Sequence, residues 1–215
     1  MRVLVTAGAT REPIDSVRYI SNLSSGKTGA VISETLNAHG FEILHFAGAG
    51  AVLPLSTPTL SLIRFSSFAD LDLKLKTTLA ASHFDAIIHC AAVSDYSLTQ
   101  TFQGKVNSDV DTLTLNLRRN PKIVHHLLSY SLNPKLKVIA FKLTDSSDES
   151  VRRSAIDKLA LHPQIHLVVH NDLSQVSDSL DHTFHIYQGD SRLRSITSKQ
   201  DLALSLKQFI HGECV

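Results

Sequence analysis

The stretch Ser21-Asn22-Leu23-Ser24-Ser25-Gly26-Lys27-Thr28 combines hydroxyls, an amide and small residues immediately ahead of helix-forming sequence. A helix start offers free backbone N–H groups and the positive end of the helix dipole, and so it favours an anion. Serine in the same place is also an ordinary N-cap. Gly29, inside the first turn, costs the helix about 1 kcal/mol relative to alanine. Its missing side chain would let a ligand approach, which favours the anion site over the plain cap. The stretch nearly matches a P-loop, but Ser21 stands where the first glycine belongs, and it does not follow its strand directly. Gly8 follows the first strand without the two further glycines of a dinucleotide fingerprint.

Other chemistry-bearing residues point less far. His162, His166 and His170 recur every fourth residue, but Pro163 and the β-branched run after it make this the start of a strand, not a zinc-binding helix face. Cys90 is expected inside a core strand as an inert thiol. No Gly-x-Ser-x-Gly elbow is present. Lys105, in Gln103-Gly104-Lys105-Val106, is either a solvated charge or a clamp on a triphosphate.

The elements that must position these residues can be read from periodicity. Strands are expected at Val3–Val5, 41–47, 85–92, 112–117, 136–142 and 165–169, and helices at 26–39, 66–82, 148–161 and 198–210. Pro121 is expected to open another helix at its first turn. Residues 183–188 and 192–196 read as a hairpin around Gly189-Asp190, and 48–58 as a long loop. This alternation predicts an α/β fold, a mostly parallel sheet between helical layers with a C-terminal antiparallel hairpin, as one domain over residues 1–215. Ligands then belong beyond the carboxyl ends of the strands. The next residues there are Gly8 to Thr10, Val93 to Tyr96, Leu143 to Asp145, and Asn171-Asp172.

Of 215 residues, 43% are hydrophobic, mean hydropathy is +0.04 and the net charge is +1. A real core is therefore affordable in size, and no polybasic face supports nucleic-acid binding. Cys90 and Cys214 make neither a disulfide framework nor a zinc cage. The uncharged run between Glu42 and Arg64 contains His45, Pro54 and Pro58, which argues against a membrane helix. With no signal peptide in the opening residues, a cytoplasmic location is expected.

TAGATREPIDSVRYISNLSSGKTGA resembles the opening signature of the phosphopantothenate–cysteine ligases, or phosphopantothenoylcysteine synthetases. CAAVSDY (90–96), GKV (104–106), NPKIV (120–124), FKLTD (141–145) and VVHND (168–172) resemble the motifs that follow in that family, in the same order. The resemblance implies a Rossmann-like fold and a place in coenzyme A formation. In that reaction the carboxylate of 4′-phosphopantothenate attacks the α-phosphate of a nucleoside triphosphate. Pyrophosphate leaves, and the amine of L-cysteine then displaces nucleoside monophosphate from the acyl-nucleotide. CTP is expected, with ATP as the alternative, and Mg2+ accompanies the triphosphate; no metal-binding residues are assigned in the chain itself.

The resemblance also implies roles for single residues. Asn22 would contact the acyl group and steady the intermediate. Gly8, Ser24, Gly26 and Gly29 would hold the nucleotide, joined by Pro121, Lys122, Ile123, Val124, Phe141 and Asn171. Ala91, Ala92 and Asp95 would line the phosphopantothenate and nucleotide pocket, their small side chains giving the ligand access to backbone amides. Lys105 would serve nucleotide binding and turnover. Arg18 would reach phosphopantothenate across a homodimer interface. Two departures stand out. Asn107 and Ser108 replace lysines of the family's K-x-K-K loop, and Phe141-Lys142-Leu143-Thr144-Asp145 replaces F-A-A-E-T. Lys158 matches a nucleotide-contacting lysine only weakly, because His162 stands one turn later. The thinned lysine loop leaves open a catalytically silent nucleotide-binding module. The chain opens at the ligase motif, so a separate decarboxylase is expected to take the product onward.

Overall fold

The computed structural model describes residues 1–107, 109, 111–175 and 183–213; Ser108 and Cys214 lie outside the described residues. Along the chain, β1 (Arg2–Ala7) is followed by a small ribbon, β2 (Arg11–Pro13) and β3 (Tyr19–Ser21), and by α1 (Lys27–Ala38). Then come β4 (Glu42–Gly48), β5 (Leu60–Phe65), α2 (Phe68–Ala81), β6 (Ala86–His89) and a second ribbon, β7 (Tyr96–Leu98) with β8 (Leu117–Arg119). A 3-10 turn at Ile123–His125 leads into α3 (Leu127–Tyr130), β9 (Lys137–Thr144), α4 (Glu149–Ala160) and β10 (Leu167–Asp172). A second 3-10 turn (Leu173–Gln175), the hairpin β11 (Phe184–Gln188) and β12 (Ser191–Ile196), and α5 (Lys199–His211) complete the order.

The main sheet runs β12-β11-β10-β9-β6-β1-β4-β5. Its strands are parallel from β10 to β5, and β11 and β12 add an antiparallel edge. This is a Rossmann-like three-layer sandwich. Strand alternation supplies both of its cores. Val3 and Val5 face one cluster with Ile32 and Leu36 of α1 and Leu202 and Leu206 of α5. Leu4 faces the other, with Val138, Ile156 of α4 and the stripe Leu71, Leu75, Leu79 of α2. Each fully buried leucine of that stripe contributes roughly 1.5–3 kcal/mol. Ser67, Asp148 and Ser198 cap α2, α4 and α5 through their side chains. No helix among the described residues is long and apolar enough to cross a membrane.

Three expectations are corrected. Residues 112–116 form no strand; only Leu117 joins β8, which pairs with β7. The alternating apolar set has no face to bury, and Leu113 and Leu117 are exposed. Pro121 does not start a helix: Lys122 is extended (φ −85°, ψ 105°) and the 3-10 turn begins at Ile123. Cys90 lies just beyond β6. β5 was not anticipated. It is an edge strand pairing only β4, and its burial is confined mainly to Leu60 and Phe65.

Candidate functional site

β1 leads outward through β4 to β5, and β6 leads the opposite way through β9 to β10. The order therefore reverses between β1 and β6, where a doubly wound sheet opens a crevice at its carboxyl edge. A cleft of about 200 Å³ lies there, lined by Leu23 to Gly29 on one side, Ala7 and Cys90 to Ala92 on its floor, and Phe141, Leu143, Asn171 and Phe184 opposite. Of the residues expected in the site, Ser24, Gly26, Gly29, Ala91, Ala92, Phe141 and Asn171 converge on it.

The start of α1 differs from a serine-capped helix. Its N-cap is Gly26 at φ +73°, with no side-chain cap. The nearest hydroxyl contact is the Lys27 N–H to Ser25 Oγ, at 3.4 Å. The first-turn N–H groups thus face the cleft without a side chain across them, an arrangement suited to an anion. A Cβ at Gly8 (φ +84°) or Gly26 would fall 2.7 or 2.8 Å from the Ala51 Cβ. Together with the Val52 N–H bonded to Ser25 O at 2.8 Å, this shows that the loop after β4 clamps the start of α1 from behind. Gly29, besides lining the cleft, has a packing purpose that was not expected. A Cβ there would lie 2.5 Å from the Ala7 Cβ, so the glycine allows α1 to close onto β1.

The floor also corrects one expectation. The Ala91 N–H donates to Thr6 Oγ1 at 3.2 Å, and the Ala92 N–H donates to Gly8 O at 2.8 Å. These amides are occupied, so the small side chains here provide space and not donors. Asn22 sits above the floor, its Nδ2 donating to Val93 O at 3.3 Å and leaving its second N–H for a ligand. Burial raises the Cys90 thiol well above its ordinary pKa, which keeps it protonated and unsuited to nucleophilic work.

The remaining expected residues are not part of the cleft lining. Asp95 is ion-paired with Lys122, and its carbonyl accepts the Asn120 N–H at 2.8 Å. Ile123 is a core residue that anchors this segment, and Val124 packs beside it. Pro121 and Lys122 are exposed. Lys105 is exposed on a loop docked against the β2–β3 turn: the Ser16 N–H donates to Gly104 O and the Phe102 N–H to Ile14 O.

The hub of that docking is Asp15, which the sequence reading missed. Its carboxylate, side chain fully buried, accepts the N–H groups of Val17, Arg18 and Val106 at 2.8, 2.8 and 3.0 Å, and Arg18 Nη1 at 2.6 Å. The bond from Val17, against the cost of burial and helped by those from Val106 and Arg18, holds its pKa well below the usual carboxylate range. Arg18 also donates to Val106 O at 3.2 Å. Asp-Ser-Val-Arg is an Asx-turn pattern, the one local signal that could have revealed it. Lys142, half-buried beside Asp95 and Lys122, was missed as well. The histidines at 162, 166 and 170 do not form a metal centre: His166 accepts the Val138 N–H, and His170 bonds Thr144. Among the described residues, no group of three or more His, Cys, Asp or Glu could hold a metal ion.

Residues 1–212 match the DNA/pantothenate metabolism flavoprotein C-terminal domain. The chain belongs to this family. It is 30% identical over 220 residues to the coenzyme A biosynthesis bifunctional protein CoaBC of Vibrio cholerae, covering 99% of this chain and 52% of that protein. The chain thus spans about half the length of the curated relatives it matches. The crystal structure of the DNA/pantothenate metabolism flavoprotein of Streptococcus pneumoniae superposes with a TM-score of 0.86 at 28% identity, covering 99% of both chains. A Cab2 mutant in complex with phosphopantothenate-cysteine superposes with a TM-score of 0.80 over 98% of this chain and 86% of that one; at 18% identity it speaks for the fold alone.

Proposed function

We propose that this chain joins 4′-phosphopantothenate to L-cysteine in coenzyme A biosynthesis, using a nucleoside triphosphate. The observation that carries the proposal is the uncapped start of α1, which meets the Ala91-Ala92 floor, Phe141 and Asn171 in one cleft at the switch point, with Asn22 next to it in the chain and bonded to Val93 O. The V. cholerae relative is named for coenzyme A biosynthesis.

In this reading the α1 N-terminus holds the nucleotide phosphates. The substrate carboxylate forms a bond to the α-phosphorus, and pyrophosphate leaves with the electron pair of the broken P–O bond. The cysteine amine then attacks the acyl carbon. Nucleoside monophosphate departs, and the amine loses a proton. The spare N–H of Asn22 offsets charge growing on the acyl oxygen. CTP is the proposed co-substrate and ATP the alternative. In this reading magnesium accompanies the triphosphate. Val17, Tyr19, Tyr96 and Leu117 are exposed on the two small ribbons beside Arg18. We assign these ribbons as the face that meets a second copy, so the working form is a homodimer.

The test is pyrophosphate release with phosphopantothenate, magnesium and either CTP or ATP, with and without L-cysteine. The expected outcome is release that requires phosphopantothenate, and amide product only when cysteine is added. The faster nucleotide identifies the co-substrate. Nucleotide binding without any release would favour the silent module, whose motivating feature is Asn107 in place of a lysine.

A further inference from the structure

β9 alternates across the sheet edge. Phe141 and Leu143 line the cleft, so Lys142 between them projects from the opposite face, which carries Val138 and Ala140 into the other core. Lys142 is half-buried. Among the described residues its ammonium makes no hydrogen bond and no ion pair.

Its electrostatic surroundings are unbalanced. Lys122 and Lys158 lie near enough to disfavour its charge, and Asp95 is the nearby carboxylate that favours it. Asp95 is already paired with Lys122, and Asp157 of α4 is taken by Arg153. Three ammonium groups therefore share one engaged carboxylate. Burial, foremost, and the neighbouring lysines lower the Lys142 pKa below its ordinary value. A fold gains nothing from a partly desolvated, unpaired cation; an arriving anion would neutralise it. Ala91 lines the cleft and also packs against the core on the Lys142 side, so a small side chain stands where the two faces meet.

We propose that Lys142, seconded by Lys122, holds a phosphoryl group of the ligand on this second face of the sheet edge, across from the α1 N-terminus. The choice of ligand rests on the ligase reading above. The phosphoryl group belongs either to the nucleoside triphosphate or to 4′-phosphopantothenate, and separate titrations distinguish them.

The experiment is calorimetric titration of the wild type, Lys142→Met and Lys142→Arg with CTP, ATP and 4′-phosphopantothenate in turn, alongside thermal melting without ligand. Lys142→Met keeps the apolar stem and should melt at or above the wild-type temperature. It should bind one of the two ligand types about tenfold more weakly or worse, the scale of one charge-assisted hydrogen bond. Lys142→Arg should stay within about threefold of wild type on the same scale. Wild-type binding that Lys142→Met leaves unchanged would overturn this inference and leave the ligase reading standing. Failure of Lys142→Met to fold, or a clear drop in its melting temperature, would mark the ammonium as structural and overturn it too. Absence of wild-type binding to every ligand would overturn the ligase reading and this inference with it.

Discussion

Gly29→Ala separates packing from ligand access. The added Cβ would sit 2.5 Å from the Ala7 Cβ, whereas carbon atoms in good contact lie about 3.5–4.0 Å apart. Ala7 is fully buried in β1, and β1 is hydrogen-bonded to β4 and β6 on its two sides. The strand cannot retreat, so α1 must lift by about an ångström. Overpacking of this kind costs roughly 1–3 kcal/mol, and the better helix propensity of alanine returns up to about 1 kcal/mol. The net expectation is a loss of about 1–2 kcal/mol, measured as a lower urea midpoint at unchanged slope. Nucleotide affinity should fall along with it, because the lifted helix carries the Gly26–Thr28 amides. Adding Ala7→Gly removes the clashing methyl and should recover the affinity while keeping part of the stability loss. A Gly29→Ala protein as stable as wild type, with only binding impaired, would refute the packing argument. It would restore the view that the glycine makes room for a ligand.

Four further outcomes are expected. Asn22→Ala should keep nucleotide binding in a titration while product formation falls about a hundredfold, the scale for one oxyanion donor; unchanged turnover would remove Asn22 from the chemistry. Lys105→Gln should raise the Michaelis constant for nucleotide, and a normal value would make it a surface charge. Glu12 is buried and accepts the Phe68 N–H and the Ser97 hydroxyl, each at 2.9 Å, so Glu12→Ala should cost about 1–3 kcal/mol in denaturant unfolding through the donors left unpaired. Burial lowers the pKa of His89 to about 4, and burial with the Arg64 charge does the same for His45. The unfolded chain takes up these protons near pH 6.5 while the fold refuses them. Stability is therefore full above pH 6.5, falls between 6.5 and 4, and draws no further loss from these groups below that. His89, bonded to Thr6 Oγ1, contributes on the order of 3 kcal/mol to the fall. A flat melting temperature from pH 7 to 4.5 would refute it.

The parts of this fold that could be read in the sequence are those whose signal is local. The aliphatic run of β1, the leucine stripe of α2 and the Gly189-Asp190 turn each carry their whole pattern within a few residues. β5 escaped because an edge strand buries little of itself. The alternation at 112–117 misled because an alternating pattern becomes a strand only where a sheet accepts its apolar side. Pro121 was a sound helix-start signal overridden by packing: Ile123 is drawn into the core, and Lys122 stays extended toward Asp95. Asp15 depends on a partner far along the chain, Val106, and no pattern within its own segment encodes that partner.

The same limit governs the site. Of the residues read after each strand, Leu143 and Asn171 line the cleft, because the carboxyl ends of parallel strands gather at one edge whatever their side chains. Which face each residue serves is a different question, and a shift of one position reverses the answer. Phe141 and Lys142 are neighbours in a single motif, yet one walls the cleft and the other stands behind it. Ala91 and Ala92 look like open backbone in the sequence, but Thr6 and Gly8, a whole crossover away, already hold their amides. The donors left for an anion are at the start of α1 in this cleft and on Asn22 beside it, and Lys142 stands on the other face of the sheet edge without an ion pair among the described residues. Substitutions at these three places should therefore act on ligand binding or turnover, whereas those at Glu12, Gly29 and His89 act first on the fold.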